Sequence, residues 1–365
     1  MRGGTAALLF ALGGCSAVRL PPREPTPPPG TETAAPAPAP EAPSPTPGSP
    51  TAGSPTPGSP TPGPPALDEA TLMAHVGALA APELRGRAAG TADERAAATY
   101  LVGELARGGL APGAPGYLQP FPFSDGESAN VVAHVPGAGR LADEAIVFGA
   151  HYDHLGERGG ALYLGAEDNA SGVAVVLSIA QRYVLSPPDA PRRSLVVVFF
   201  GAEEAGLWGS KHYAASPTLP LPTLRAMVNV DMIGRPLLDD PAYALPKTMA
   251  GMDGARGLGV LGTADRPVFR HAVDAGAAAA ELEVWAPEDL PGPLRRLVEN
   301  LASGRGDNFS FEAVGIPSLF FGAGESADYH QPTDTPDRLD PRLMAARAVA
   351  IDTVIRALVT APELP

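Results

Sequence analysis

The chain is poor in cysteine, in basic residues and in long apolar runs. Cys15 is the only cysteine in 365 residues, which excludes an internal disulfide and argues against a thiol nucleophile. Lysine and arginine number 26 against 40 aspartate and glutamate residues, and a net charge of −14 excludes the basic surface that a nucleic-acid partner requires. No apolar run reaches the roughly 20 residues of a membrane span. Hydrophobic residues still make up 44% of the chain, enough for a packed core.

Two common active-site signatures are absent as well. The sequence contains no G-x-S-x-G segment, the turn that presents a serine nucleophile in many hydrolases. It also contains no G-x-x-x-x-G-K-[ST] segment, the loop that cradles nucleotide phosphates. These absences argue against a serine hydrolase of that type and against a phosphate-loop enzyme.

The first 15 residues have the pattern of an export signal. Arg2 precedes a short apolar stretch, residues 6–12, and two glycines then lead to Cys15. This order resembles a bacterial lipoprotein signal, in which Cys15 becomes the lipid-carrying first residue of the mature chain. An ordinary secretory signal with an incidental cysteine is the alternative. We expect the chain to be anchored by lipid in the cell envelope, or else secreted. Because Ser16 and not an aspartate follows the cysteine, the outer membrane is favoured over the inner membrane.

A segment rich in proline, serine, threonine and glycine follows the signal, over residues 16–66. Such a composition cannot bury a core, so it predicts a disordered spacer. The folded domain is expected over residues 67–365. Within it, residues 236–304 interrupt the rhythm of the surrounding elements and are predicted to form an insertion or cap beside the site.

Apolar runs and helical spacings alternate along the folded domain. Strands are predicted over residues 130–135, 145–150, 194–200, 226–230 and 316–321. Helices are predicted over residues 67–79, 91–105, 171–184, 204–214, 267–280 and 340–361. This alternation predicts an α/β fold with helices on both faces of a mostly parallel sheet.

Five short polar clusters lie at the ends of the apolar runs. They are His151-Tyr152-Asp153, Glu167-Asp168-Asn169, Glu203-Glu204, Asp231 and His330. Since ligands bind at the carboxyl ends of the strands in open α/β sheets, we expect these side chains to meet there. Imidazole and carboxylate ligands together suit zinc.

The first cluster also contains a possible support for a metal ligand. In an extended segment, residues two apart share a face, so Asp153 can brace the imidazole of His151. His154 leaves open which histidine is the ligand. Taken alone, the triplet also fits a surface histidine beside a structural aspartate.

The two adjacent glutamates are predicted to do different work. Neighbouring side chains diverge, so one of Glu203 and Glu204 can bind metal while the other moves a proton. Acids in a first helical turn are the alternative interpretation. Asp168 likewise fits either a helix cap or a bridge between two metal ions. A buried Asp231 needs a metal or Arg235 as a partner.

Four segments resemble the bacterial leucyl aminopeptidase family of zinc exopeptidases. The segments are GAHYDHLG at 149–156, AEDNASGV at 166–173, FGAEEAGLWGS at 200–210 and NVDMIGR at 229–235. Relatives of that family include glutamate carboxypeptidase, glutaminyl cyclase and the non-catalytic transferrin receptor. The resemblance covers residues 67–361.

The resemblance implies an α/β/α sandwich, phosphorylase/hydrolase-like, with a mostly parallel mixed central sheet and two zinc ions. It assigns the roles as follows: His151 and Asp231 bind one zinc, Glu204 and His330 bind the other, Asp168 bridges them, Asp153 orients His151, and Glu203 is the general base.

One segment departs from the family pattern. Where the family often has Ser-Asp-His, this chain has Gly306-Asp307-Asn308, so the first and third positions have changed. We take Asp307, Asn308 and Tyr329 as candidates for substrate contacts.

The sequence therefore predicts a dizinc aminopeptidase that hydrolyses peptides and touches the membrane only through its lipid anchor. Carboxypeptidase and single-zinc glutaminyl cyclase activities are the enzymatic alternatives, and a catalytically inactive receptor-like domain is the third. Five intact ligands favour hydrolysis over cyclisation but do not choose between the amino and carboxy ends of a peptide. The sequence predicts no particular oligomeric state.

Overall fold

The computed structural model describes residues 66–365, apart from residues 186, 245–246, 249–250, 291, 293–294 and 296–303. The predicted signal and the spacer up to Pro65 therefore lie outside the described residues. Within the described part, no helix has both the length and the apolar character to cross a membrane.

A mixed sheet of nine strands forms the centre of the described domain. Its strands are β1 (Ala111–Pro112), β2 (Leu118–Phe123), β3 (Gly126–Val135), β4 (Ala145–His151), β7 (Ser194–Phe200), β8 (Leu224–Asp231), β9 (Gly257–Leu261), β10 (Glu283–Trp285) and β11 (Ser318–Gly322). The spatial order is β1-β3-β7-β4-β8-β11-β9-β10, with β2 paired to β3. A separate hairpin joins β5 (Gly156–Arg158) to β6 (Ala161–Tyr163).

The central strands run parallel and are buried on both faces. β4 pairs in parallel with β7 and with β8, and β8 pairs in parallel with β11. Every residue of β4 and β7 is buried, which explains why both read as continuous apolar runs. Because His151 lies opposite Phe200 in the β4–β7 register, these strands end side by side.

Helices cover both faces of the sheet. They are α1 (Glu69–Leu79), α2 (Ala92–Arg107), α3 (Gly172–Leu185), α4 (Trp208–Ala215), α5 (Pro267–Ala279), α6 (Asn308–Glu312) and α7 (Pro341–Thr360). Alternate residues of the strands enter two separate hydrophobic clusters, one with α1, α2, α3, α5 and α7, the other with α4 and α6. The predicted α/β/α sandwich is therefore confirmed.

One predicted helix begins later than expected. The sequence predicted a helix over residues 204–214, whereas α4 begins at Trp208. Ala202 and Leu207 adopt positive φ angles of 53° and 61°, which turn the chain between β7 and α4. The adjacent glutamates therefore lie in a turn and not in a first helical turn.

The segment 236–304 contributes to the sheet in its described part. β9 pairs antiparallel with β11, and β10 pairs parallel with β9, so the segment extends the sheet beyond β11. α5 packs against α7. One cavity is lined by the last residues of β4 and β8 and by other described residues of the segment: Leu237, Leu238, Lys247, Met252, Ala286, Pro287 and Leu290.

Candidate metal centre

The predicted ligands meet at the carboxyl edge of the central strands. His151 is the last residue of β4 and Asp231 the last of β8. Asp168 lies in the turn before α3, and Glu204 lies in the turn after β7. His330 follows β11.

Asp168 stands at the middle of this cluster. Its Oδ1 lies 3.2 Å from Nε2 of His151, and its Oδ2 lies 3.2 Å from Nε2 of His330. Asp231 completes one side, with Oδ1 3.4 Å from Nε2 of His151. Glu204 completes the other, with Oε2 3.1 Å from Nε2 of His330. The five side chains thus form two halves that share one carboxylate.

Several buried atoms of this cluster make no hydrogen bond of suitable angle among the described residues, although some lie only 2.9 to 3.4 Å from a neighbouring nitrogen or oxygen. They are Oδ1 of Asp231, Oε1 of Glu204, Nε2 of His330 and both ring nitrogens of His154. Buried polar atoms are normally paired, so unpaired ones at one point indicate a missing partner. A cation bound between them would satisfy these oxygens and nitrogens, and this donor set suits zinc.

His154 lies in the same cluster and is 1% exposed. Its Nδ1 is 2.9 Å from Oε1 of Glu204 and 3.7 Å from Oδ2 of Asp168. The sequence left open which histidine of the first cluster faces the site, and both do. His151 faces the Asp231 half, whereas His154 faces the Glu204 half.

Asp153 supports the turn that carries the two glutamates. Its carboxylate accepts the backbone N–H of Glu203 at 2.9 Å and that of Glu204 at 3.2 Å. Its Oδ1 lies 3.8 Å from Nδ1 of His151, beyond hydrogen-bond distance, and this Nδ1 lies 3.2 Å from the main-chain oxygen of Asp153. The carboxylate of Asp153 therefore holds the glutamate turn more directly than it holds the imidazole.

Two main-chain hydrogen bonds join the ends of the turn that carries Glu203 and Glu204, and they fix its length. The N–H of Gly209 donates to the carbonyl of Gly201 at 3.0 Å, and the N–H of Trp208 donates to the carbonyl of Ala202 at 3.1 Å. A side chain on Gly209 would meet that carbonyl oxygen at 2.3 Å, so the two ends of the turn touch where only glycine fits.

The cluster contains many carboxylates although it is buried. Burial raises the pKa of Asp153 to about 8. Burial also raises the pKa of Glu203 well above its ordinary value, although His151 opposes the shift. Burial would raise the pKa of Asp168 too, but contacts with His151 and His330 hold it well below its ordinary value. The site therefore requires compensating positive charge.

A cavity of about 220 Å³ opens from the cluster and has two different walls. We call the side formed by His151, Asp168, Glu203, Glu204 and Asp231 the polar wall. We call the large apolar lining residues the apolar wall; its members are Leu237, Leu238, Met252, Val260, Leu261, Trp285, Pro287, Leu290, Phe309 and Phe320. Most of the apolar wall comes from the segment 236–304.

The three candidates for substrate contacts occupy different places. Tyr329 lines the cavity, and its ring stacks on that of His330 with the centroids 3.9 Å apart. Asp307 and Asn308 are buried beside the cavity and do not line it, whereas their neighbour Gly306 does. Burial raises the pKa of Asp307 to about 6.

Two carboxylates to which the sequence analysis assigned no role hold the main chain of the site. Asp334 accepts the backbone N–H of Glu167 at 2.8 Å and that of Asp168 at 3.1 Å. Glu167 in turn accepts the N–H of Gly234 at 2.8 Å and that of Arg235 at 3.1 Å. The only sequence signal for them is their place within the polar segments, because their partners are main-chain atoms of distant residues.

Comparisons with known proteins agree with this geometry. The sequence model described as Peptidase family M28 matches residues 130–253 and 263–355, more than half of the chain. LpqL of Mycobacterium tuberculosis, named a probable lipoprotein aminopeptidase, is 32% identical over 235 residues, which are 59% of this chain and 42% of LpqL. The chain spans less than half the length of the first curated relatives that it matches.

Two solved structures share the fold. LapA of Legionella pneumophila, an aminopeptidase, superposes with a TM-score of 0.60 and 18% identity, covering 81% of this chain and 72% of LapA. BSAP, a zinc aminopeptidase from Bacillus subtilis, superposes with a TM-score of 0.59 and 16% identity, covering 81% of this chain and 97% of BSAP. At these identities the likeness shows a common fold.

Proposed function

The chain belongs to peptidase family M28, and from this membership we propose that it is a zinc-dependent aminopeptidase that removes residues from the amino ends of peptides. The observation that carries the proposal is the position of Asp168. Each of its carboxylate oxygens faces a histidine from a different part of the chain, with a further carboxylate beside each histidine. This arrangement is what two adjacent cations sharing one bridging ligand require.

The five side chains divide naturally between two zinc ions. In this proposal His151 and Asp231 hold one ion, Glu204 and His330 hold the other, and Asp168 bridges them. Zinc bound there would polarise the scissile carbonyl and make a water molecule acidic enough to attack it near neutral pH. His154 also lies within reach of this half of the site, and its ring nitrogen could hold an ion together with Asp168 and Glu204.

The remaining steps belong to residues of the chain. Glu203 lines the cavity beside the ligands, so it accepts the proton of the attacking water and delivers it to the leaving amine. Its raised pKa favours holding that proton between the two transfers. Asp153 fixes the turn so that the adjacent side chains of Glu203 and Glu204 keep their different tasks.

The apolar wall supports recognition of an apolar residue at the amino end, as in the leucyl aminopeptidase branch. Among the described lining residues the basic side chains are Lys247 and Arg305. Arg305 is paired with Glu325 at 2.5 Å, and Nζ of Lys247 donates to the carbonyl of Leu237 at 3.3 Å. Neither is presented as a dedicated partner for a peptide carboxylate, which disfavours a carboxypeptidase.

Hydrolysis of matched chromogenic substrates tests the proposal. We expect free aminoacyl anilides to be cleaved and their N-acetylated counterparts to be spared, with activity lost to a chelator and restored by zinc. Cleavage of N-blocked peptides from the carboxy end would replace the aminopeptidase assignment. No metal binding and no hydrolysis of any peptide would refute the enzymatic assignment altogether.

We also propose that Cys15 carries a lipid and anchors the protein in the cell envelope. The order of charge, apolar stretch, glycines and cysteine supports this, as does the similarity to LpqL, which is named a lipoprotein aminopeptidase. The wild-type protein should fractionate with membranes, whereas Cys15→Ser should be released or misprocessed. A wild-type protein found wholly in the soluble fraction would contradict the anchor.

A further inference from the structure

Arg87 is a fully buried cation, with 0% exposure, next to the metal centre. Its described hydrogen bonds all go to main-chain carbonyls and none to a carboxylate. Its five N–H groups reach five carbonyls: Tyr152 at 2.7 Å, Leu79 at 3.1 Å, Leu164 at 2.6 Å, Gly165 at 2.7 Å and Asp168 at 3.4 Å. One planar guanidinium thus uses its full donor capacity to join three other segments of the chain, at Leu79, at Tyr152 and over residues 164–168.

The positions of these carbonyls relate Arg87 to the ligands. Tyr152 lies between His151 and Asp153, so the bond from Nε fixes the main chain directly after β4. The Nη2 group bonds on both sides of the turn that carries Asp168. The guanidinium therefore spans the two ligand segments whose side chains meet at 3.2 Å.

The loop that carries Arg87 is itself held against the site. The N–H of His154 donates to the carbonyl of Arg87 at 3.3 Å, and the N–H of Gly156 donates to that of Gly86 at 3.2 Å. A side chain on Gly86 would lie 2.0 Å from the carbonyl oxygen of Tyr163, so the loop fits this closely only with glycine there. The main chain at Arg87 is therefore held in place beside the site.

The charge of Arg87 also matches its surroundings. A buried cation that contacts only neutral carbonyls is costly unless negative charge lies nearby. Burial lowers the pKa of Arg87, while Asp168, Asp334, Asp153 and Glu204 raise it. Asp168 and Glu204, whose pKa values are lowered in spite of burial by contacts with histidines, thus supply the negative charge that this guanidinium lacks in its direct contacts.

We propose that Arg87 is a positioning residue of the metal centre, which sets the distance between the His151 and Asp168 segments by holding both main chains on one guanidinium. The inference rests on the proposed zinc-dependent function. A lysine keeps the charge but donates from a single point, so it cannot hold the segments in the same way. Changes in the support of metal ligands typically weaken metal binding by about 10- to 100-fold.

The test compares Arg87→Lys and Arg87→Gln with Arg193→Lys in the full chain. Arg193 serves as the control because it is 1% exposed and donates to the carbonyls of Leu358 and Ala361, while it precedes β7 at the opposite end of the strands; unlike Arg87, it also pairs with a carboxylate, that of Glu144, at 2.7 Å. Zinc affinity is measured by competition with a chromogenic chelator, and thermal unfolding of the metal-free protein reports the stability of each variant.

We expect Arg87→Lys to weaken zinc binding at least about 10-fold, and Arg87→Gln to weaken it further because it also loses the charge. Arg193→Lys should bind zinc as the wild type does despite a similar loss of stability. Zinc affinity of Arg87→Lys within about twofold of Arg193→Lys would overturn the proposal. Failure of Arg87→Lys to fold while Arg193→Lys folds would also count against it, because Arg87 would then serve the fold as a whole. A wild-type protein that binds no zinc would instead refute the proposed function.

Discussion

The two walls of the cavity are built in different ways. The polar wall consists of residues at the ends of two strands and in two turns that are distant in sequence, and the carboxylates of Asp153 and Asp334 hold the main chain of those turns. The apolar wall consists mostly of residues from the one segment 236–304, which joins the sheet through its short strands β9 and β10 and in which the carbonyl of Gly257 accepts from the buried Arg347. We infer that the polar wall carries out hydrolysis of the peptide bond. The apolar wall determines which peptides are bound for hydrolysis.

The largest expected effect lies on the polar wall, at Glu203. Glu203→Gln removes the group that moves the proton but leaves all five ligands. We expect kcat to fall by at least about 10²-fold, the lower range for general acid–base catalysis, with the zinc content unchanged. Kinetics on an aminoacyl anilide and elemental analysis of the same sample check this. Loss of zinc from Glu203→Gln would reverse the roles of the two glutamates.

Glu204→Gln should affect the same wall through metal content. Glu204 faces both His154 and His330, so a neutral amide there weakens one of the two proposed ions. We expect elemental analysis to show a loss of about one zinc per chain, and excess zinc to restore part of the activity. Two tightly held ions in Glu204→Gln, with activity lost, would exclude Glu204 as a ligand.

A change on the apolar wall should act on substrate choice. Trp285 is half-buried and lines the cavity, so Trp285→Ala removes apolar contact from a bound side chain. We expect discrimination between leucyl and alanyl anilides, measured as the ratio of kcat/KM values, to shrink by about 10-fold. Zinc content should not change. A loss of zinc, or an equal fall in kcat/KM on both substrates, would contradict the division of tasks between the two walls.

The smallest effect is expected at Lys247. Its Nζ is bonded to the carbonyl of Leu237, so it is not expected to bind a substrate carboxylate. Lys247→Met should change kcat/KM on aminoacyl anilides by no more than about twofold, in the range of neutral surface substitutions. A large loss confined to peptides with a free carboxylate would favour the carboxypeptidase alternative.

The polar wall could be located from the sequence to a large extent, and the apolar wall could not. His151 ends a wholly buried strand and Asp231 ends a strand that is buried except at Arg225, and parallel strands bring such ends together, so local pattern was sufficient. β9 and β10 have only five and three residues and join the sheet through pairing with each other and with β11. Their placement depends on contacts between distant segments, which no local pattern encodes.

The late start of α4 and the role of Arg87 were missed for the same reason. The carboxylate of Asp153, which follows a different strand, holds the turn before α4 in a non-helical shape. The partners of Arg87 are main-chain carbonyls, which carry no side-chain signature in the sequence. Charges that bond to distant main-chain atoms become recognisable only when the fold is known.

The contact between Gly201 and Gly209 has a consequence for the mutational history of this site. Because the ends of the glutamate turn touch, no residue can be added or removed between them without displacing both acids. The contact of Leu237 with Gly254 closes a longer loop, and a longer loop accommodates a change of length at a lower cost, so insertions and deletions within residues 239–253 should survive selection more often. New substrate preferences would then arise by exchange of the apolar wall while the length of the glutamate turn stays constant.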